Sequence, residues 1–231
     1  MDPRKSRKSD DDVVAIIQCY NEKTKAFTVG KKNLTFTTND VTLIFGLQGG
    51  KGAMSLRYSK KPKSAFLRRR FPKDTRLTGL VLKNALVKAM KGKQPTNYKD
   101  VAIIVILYLC LTLFFITSEN SIWWIFIKYV EPLESMKQYD WPEAITSTLI
   151  DSIIALHKTP EKVTGCVIAL LVSIISIQIC SYHTYKFVCL AKFNYFNFHH
   201  SIGYVNMQIS LTWKTVTQLI SQDVPSGTYK A

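Results

Sequence analysis

The stretch VAIIVILYLCLTLFFITS, residues Val101–Ser118, holds eighteen residues without a charge. A second uncharged stretch, VTGCVIALLVSIISIQICSYHTY, runs from Val163 to Tyr185. The fold depends on whether these runs form the centre of a helical domain or cross a bilayer. Spanning takes about 20 apolar residues, so the first run is marginal and the second is long enough. Lys and Arg precede the first run and follow the second, as the positive-inside pattern asks. The intervening Glu119–Lys162 carries seven acids and four bases. Against a hairpin in lipid, Trp123, Phe126, Leu133, Ile145, Leu149 and Ile153 form amphipathic faces in that intervening part, and such faces need a partner to pack on. Ser173, Ser176, Gln178, Ser181 and His183 also make the second run costly to transfer into lipid. We therefore read both runs as buried helices of a mainly α chain. The alternative is a small membrane protein with two transmembrane helices near 101–118 and 163–185.

Working outward, the remaining signals fit a helical bundle with a small N-terminal β-hairpin. Ser9 followed by Asp10, Asp11 and Asp12 predicts a helix start, with a hydroxyl cap and acids against the positive helix end. Phe27 and Val29, then Leu34 and Phe36, alternate with polar residues across a turn at Gly30-Lys31-Lys32-Asn33. Thr37 and Asp40 predict a capping pair for a short helix closed by Gly46. From Gly49 to Pro72 there is no apolar period, which predicts an exposed loop. Thr78 opens a helix whose inner face is Val81, Leu82, Ala85, Leu86 and Ala89. Ile122, Phe126, Tyr129, Val130 and Leu133 continue an apolar stripe in which Pro132 breaks or restarts the helix. Asp140 and Glu143 predict a capping box, and Thr159-Pro160-Glu161 predicts a last helix running through Val163–Tyr185. We expect a disordered N-terminus over 1–9, one domain over 10–171 and a separate tail over 172–231.

Apolar residues make up 47% of the 231 and charged residues 20%, which excludes a disordered polyelectrolyte. The net charge of +15 is unevenly placed. Between Lys51 and Lys93 stand fourteen Lys or Arg against one acid, Asp74, a net of +13 that leaves only +2 for the rest. Within the basic loop 51–76, Lys60, Lys61, Lys63, Arg68, Arg69, Arg70, Lys73 and Arg76 are the candidate phosphate contacts, or a nuclear import signal. Phe66 and Phe71 are interleaved and placed to stack on bases. A solvated charged loop is the plainer account of the same residues.

Chemistry-bearing patterns are weak. Gly46, Gly49, Gly50 and Lys51 suggest a phosphate loop, but Phe45 and Gly52 occupy places where the motif needs glycine and a hydroxyl residue; a flexible turn fits better. Cys180, His183, Cys189, His199 and His200 match no standard zinc spacing. Five cysteines, an odd number mostly inside apolar runs, suit reduced thiols of an intracellular protein, and no apolar stretch follows the polar Met1–Asp12, so no secretory signal is expected. His157 and Cys166 do not make a nucleophile–base pair. We expect no enzyme activity, metal or cofactor.

Four stretches carry a family resemblance: LTFTTNDVTLIFGL at Leu34–Leu47, YLCLTLFF at Tyr108–Phe115, KYVEPLESMKQYDW at Lys128–Trp141 and KVTGCVIALL at Lys162–Leu171. Their order and spacing resemble the plant mobile domain, also labelled aminotransferase-like, and the related transposon-associated domain found upstream of SUMO-protease-like modules in plants. The resemblance covers nearly everything from Val14 to Leu171. It implies a transposon-associated, non-enzymatic nuclear domain whose partner is nucleic acid or a chromatin-associated protein. The aminotransferase label implies no chemistry here, because no lysine stands in a pyridoxal-phosphate setting. The chain departs from the pattern at Pro132, where an acid is usual, near Ile103 and Ile104, where a basic residue is usual, and after Leu171, where the aromatic-Trp continuation is missing. Val172-Ser173 is what an unspliced intron donor would encode, so we expect part or all of 172–231 to be translated intron or a mis-predicted exon, which sequencing the transcript across the Leu171 codon tests.

Overall fold

A computed structural model describes residues 8–29, 32–57 and 60–182. The chain is mainly α with a small antiparallel sheet near its start. In order, the elements are α1 (Lys8–Gln18), β1 (Tyr20–Asn21), β2 (Ala26–Val29), β3 (Lys32–Leu34), α2 (Thr38–Phe45), α3 (Ala65–Arg70), β4 (Leu77–Thr78), α4 (Gly79–Met90), α5 (Pro95–Leu109), β5 (Ser121–Ile122), α6 (Phe126–Val130), α7 (Trp141–Leu156) and α8 (Val167–Tyr182). Short 3₁₀ helices follow Pro132 (Leu133–Gln138) and Thr159 (Pro160–Lys162).

The first uncharged run forms most of α5. Pro95 opens the helix, where its missing N–H costs nothing. A π-turn over Cys110–Phe114 extends it, closed by the Phe115 N–H on the Cys110 carbonyl at 2.8 Å. Ala102, Ile103, Ile104, Ile106, Leu107, Cys110 and Leu111 are buried, and α4 and α6 pack against them. Each fully buried aliphatic side chain contributes about 1.5–3 kcal/mol. Ile122 does not continue a helix as its spacing suggests. It pairs in β5 with Leu77 of β4, so α6 is shortened to Phe126–Val130. Of the adjacent tryptophans, Trp124 is buried and donates to the Thr75 carbonyl at 3.0 Å, whereas Trp123 points outward. Trp123 therefore does not belong to the inward face expected of it.

The hairpin forms with a tighter turn than expected. Val29 pairs with Lys32, so Lys32 and Asn33 belong to β3, where Thr28 donates to the Asn33 side chain at 3.0 Å. β1, too short to show a period, adds a third strand. The Asp40 carboxylate takes the Thr37 backbone N–H at 2.8 Å and its hydroxyl at 2.7 Å. Gly46 ends α2 at φ 65°. Asp140 caps α7 through the Glu143 N–H at 3.1 Å, but Glu143 does not complete a reciprocal box. Its carboxylate instead accepts the Thr38 hydroxyl at 2.5 Å, tying α7 to α2.

The last helix is broken where the sequence predicts continuity. Gly165, at φ 103°, donates to the Ile116 carbonyl at 2.9 Å, and a Cβ there would lie 3.1 Å from the Leu149 Cα. Only glycine meets both demands. α8 starts after this break and does not stop at Leu171. Ser173 and Ile174 are buried, and the Ser173 hydroxyl donates to Asp40 at 2.6 Å. At least these two residues of the expected tail thus pack with the domain. Residues 1–7, covering most of the expected disordered terminus, and 183–231 lie outside the described residues, as do the side chain of Cys180 and the whole of His183, Cys189, His199 and His200.

Candidate nucleic-acid interface

The expected loop from Gly49 to Pro72 is more ordered than its composition suggests. Its first part is clasped: Gly50 donates to the Tyr139 carbonyl at 3.1 Å, Gly52 to Gln138 at 2.8 Å, and Asp140 donates back to Gly52 at 2.8 Å. The Tyr129 hydroxyl accepts from the Ser55 N–H at 2.9 Å and donates to the Ser55 carbonyl at 3.1 Å. The glycines therefore serve close backbone contact, not a flexible turn. Further on, Ser64 caps α3 by accepting the Leu67 N–H at 3.0 Å. Phe66 and Phe71, expected to stack on bases, are buried with their rings edge-to-face at 5.6 Å. They hold α3 on the core and are closed to bases.

The eight candidate cations divide into two groups. Lys61 folds inward, donating to the carbonyls of Phe71 and of Asp74, the latter at 2.9 Å, with its ammonium 4.8 Å from the Trp124 ring centroid. Arg69 grips Asp100 with two hydrogen bonds, of 2.7 and 3.2 Å. Arg70 donates to the same carboxylate at 2.6 Å and to the Asn97 amide oxygen. Asp100 is 1% exposed. Hydrogen bonding to Asp100, helped by the charges of Asp100 and Glu131 and opposed by burial, holds the Arg69 guanidinium more firmly protonated than usual. Arg76 meets Glu119 at 3.3 Å on open surface, a pair worth about 0–1 kcal/mol. Lys60, Lys63, Arg68 and Lys73 are exposed and have no ion-pair partner among the described residues.

Asp100 and Asn97 do not stand out in the sequence. The available signal is a lone acid on the border of an eighteen-residue uncharged run. Gly92, in the turn between α4 and α5, lies against the Asn97 side chain with no room for a Cβ. Asn97 thus joins Arg70 of α3 to the turn carrying Lys91 and Lys93, which brings two sequence-distant basic clusters together. Along α4, Lys83 and Lys88 are exposed beside Leu80, Val87 and Met90.

Residues 6–171 match the family described as Domain of unknown function (DUF8566). The chain belongs to this family. No curated protein and no solved structure matches the chain. In this DUF8566 member, no cluster of three or more His, Cys, Asp or Glu able to hold a metal occurs among the described residues. His157 faces Glu22, Nε2 to Oε1 at 3.1 Å, with the Tyr20 ring beside it.

Cys110 and Cys166 are sealed in the core. Burial pushes the Cys166 thiol up to about 12 and Cys110 also upward. Burial of the neutral thiols therefore adds stability that is fully present below the ordinary thiol value of 9.0 and is lost as pH rises from there through about 12. With iodoacetamide at pH 8, peptide-resolved mass spectrometry should find Cys19 alkylated in the native protein and Cys110 and Cys166 only after unfolding. Equal labelling of all three in the native state would contradict the packing.

Proposed function

We propose that this chain is a non-enzymatic, transposon-associated nuclear domain that binds nucleic acid through an exposed basic surface around α3 and the α4–α5 turn. The carrying observation is the buried Asp100 contact. By fixing Arg69 and Arg70 against α5, it holds α3 in place and leaves Arg68, Lys60, Lys63 and Lys73 exposed, without an ion-pair partner among the described residues. Cations on a rigid frame suit phosphate recognition, because little side-chain and loop freedom is lost on binding. The resemblance to the plant mobile domain supports the nuclear, transposon-associated part. A chromatin-associated protein with an acidic surface, or an import receptor, would use the same residues.

Salt-titrated fluorescence anisotropy with a labelled 20-base-pair DNA, and with the matching single strands of DNA and RNA, tests this. Changing Lys60, Lys63, Arg68 and Lys73 together to Ala should weaken binding. The slope of log K against log salt on duplex DNA should shrink by about 0.9 for each phosphate that is no longer neutralised. An affinity and a slope unchanged by all four substitutions would sink the proposal.

One observation favours the membrane reading: α5 with its π-turn, Pro95–Phe114, is 20 residues long and contains an 18-residue segment of mean hydropathy 1.7. Half of that segment is packed inside the protein, however, and a buried Asp100 bound to two arginines sits in it. Both features support an interior helix. Resistance of the full chain to alkaline extraction from membranes would move the conclusion to the hairpin.

A further inference from the structure

On a chain with 31 basic residues against 16 acidic ones, one open groove has two acids, Glu119 and Asp151, and no lysine or arginine in its lining. It has a volume of about 570 Å³, within the usual range of ligand sites. One wall is α7, which presents Ala144, Ser147, Thr148 and Asp151 at spacings of three, four and seven residues, one continuous stripe. Trp123, Phe126 and Met54 also line it. Glu119 stands at the rim, held by Arg76.

We propose that this groove binds a lysine- or arginine-bearing peptide in extended form, supplied by another protein. Three observations converge on that chemistry. Asp151 is exposed and has no ion-pair partner among the described residues, so it offers an uncompensated carboxylate. The Ser147 and Thr148 hydroxyls both donate their protons to the Ala144 carbonyl, at 3.3 and 2.7 Å, so towards the groove they present lone pairs. A wall of acceptors selects a ligand rich in donors. Finally, Trp123 is 46% exposed although its neighbour Trp124 is buried, and an open indole face attracts a cation. An acidic or phosphate-bearing ligand would meet the Asp151 carboxylate with no lysine or arginine in the lining to offset it.

The test uses the full chain and a fluorescein-labelled nonapeptide with lysine at alternate positions, read by anisotropy against the same peptide with norleucine for lysine. The lysine peptide should bind saturably and the norleucine peptide should not. Asp151→Asn and Trp123→Ala should each weaken binding by about tenfold, in line with one charge pair and one cation–π contact. Both side chains are exposed, so an unchanged thermal midpoint will show that the fold persists. Equal binding of the two peptides, or lysine-peptide binding indifferent to both substitutions, would overturn the proposal. So would a concentration-dependent dimer that Trp123→Ala dissolves, since the groove would then belong to a second copy of the chain.

Discussion

Changing Arg70 to Ala is expected to lower the free energy of unfolding by about 1.5–3 kcal/mol, because the buried Asp100 carboxylate then keeps only the hydrogen bonds of the half-exposed Arg69. Asp100 is 1% exposed and the Arg70 side chain 13%, so water cannot replace the missing guanidinium without opening the contact between α3 and α5. The effect includes the hydrogen bond to Asn97, whose removal releases the α4–α5 turn as well. Domains are stable by only about 5–15 kcal/mol, so this one change removes a large share. Urea denaturation followed by circular dichroism measures it. Arg68→Ala, two residues earlier, should change stability by no more than about 0.5 kcal/mol, as surface substitutions usually do. Successive residues on a helix are turned by about 100°, which sends Arg68 outward when Arg70 points in. Arg70→Met combined with Asp100→Leu removes the buried carboxylate and its buried arginine, leaves the half-exposed Arg69 to water, and should recover part of the stability, since apolar replacement of buried charges is often tolerated. An Arg70→Ala protein within about 1 kcal/mol of the parent would show that the contact is not closed to water.

This division changes how the basic segment is to be probed. Replacing Arg68, Arg69 and Arg70 together would mix a binding effect with a folding effect, and weaker binding by a partly unfolded chain would say nothing about phosphates. Lys60, Lys63, Arg68 and Lys73 avoid that confusion. Lys61 does not, since it crosslinks the carbonyls of Phe71 and Asp74 beneath the surface.

The sequence made the mainly α fold and the β-hairpin legible because each rests on a local rule. Capping at Thr37–Asp40 and the alternation around Phe27 and Leu34 involve neighbours a few residues apart. The misreadings arose where a distant partner decided the outcome. Ile122 fits a helical stripe but pairs with Leu77, 45 residues earlier. Phe66 and Phe71 sit in a charged stretch and so read as exposed, although they anchor α3. Gly165 looks harmless inside an uncharged run, yet Leu149 and Ile116 require the chain to turn there. In the candidate interface, the excess of cations was plain from composition. Which of them are tied down was not, because that depends on a single acid, Asp100, thirty residues downstream of Arg70.

Gly50 supplies the second large effect, and its mechanism is steric. A Cβ at this position would fall within the Gln138 carbonyl group and 2.7 Å from the Lys137 carbonyl oxygen, backbone atoms that cannot swing aside as a side chain would. Gly50→Ala must therefore push residues 50–52 away from the turn at Lys137–Tyr139 and break their backbone hydrogen bonds to Gln138, Tyr139 and Asp140. Overpacking costs about 1–3 kcal/mol and each of the three broken hydrogen bonds about 1, so a total of about 4–6 kcal/mol is expected. The damage spreads, because the Asp140 N–H held by Gly52 belongs to the residue that caps α7. Gly46→Ala is the useful comparison. That glycine has φ 65° but open space around it, so alanine there incurs only backbone strain, about 1–2 kcal/mol. Thermal or urea unfolding of the two variants should rank Gly50→Ala well below Gly46→Ala. The reverse order would mean that the clasp is loose and that the groove wall formed by Met54 is free to move.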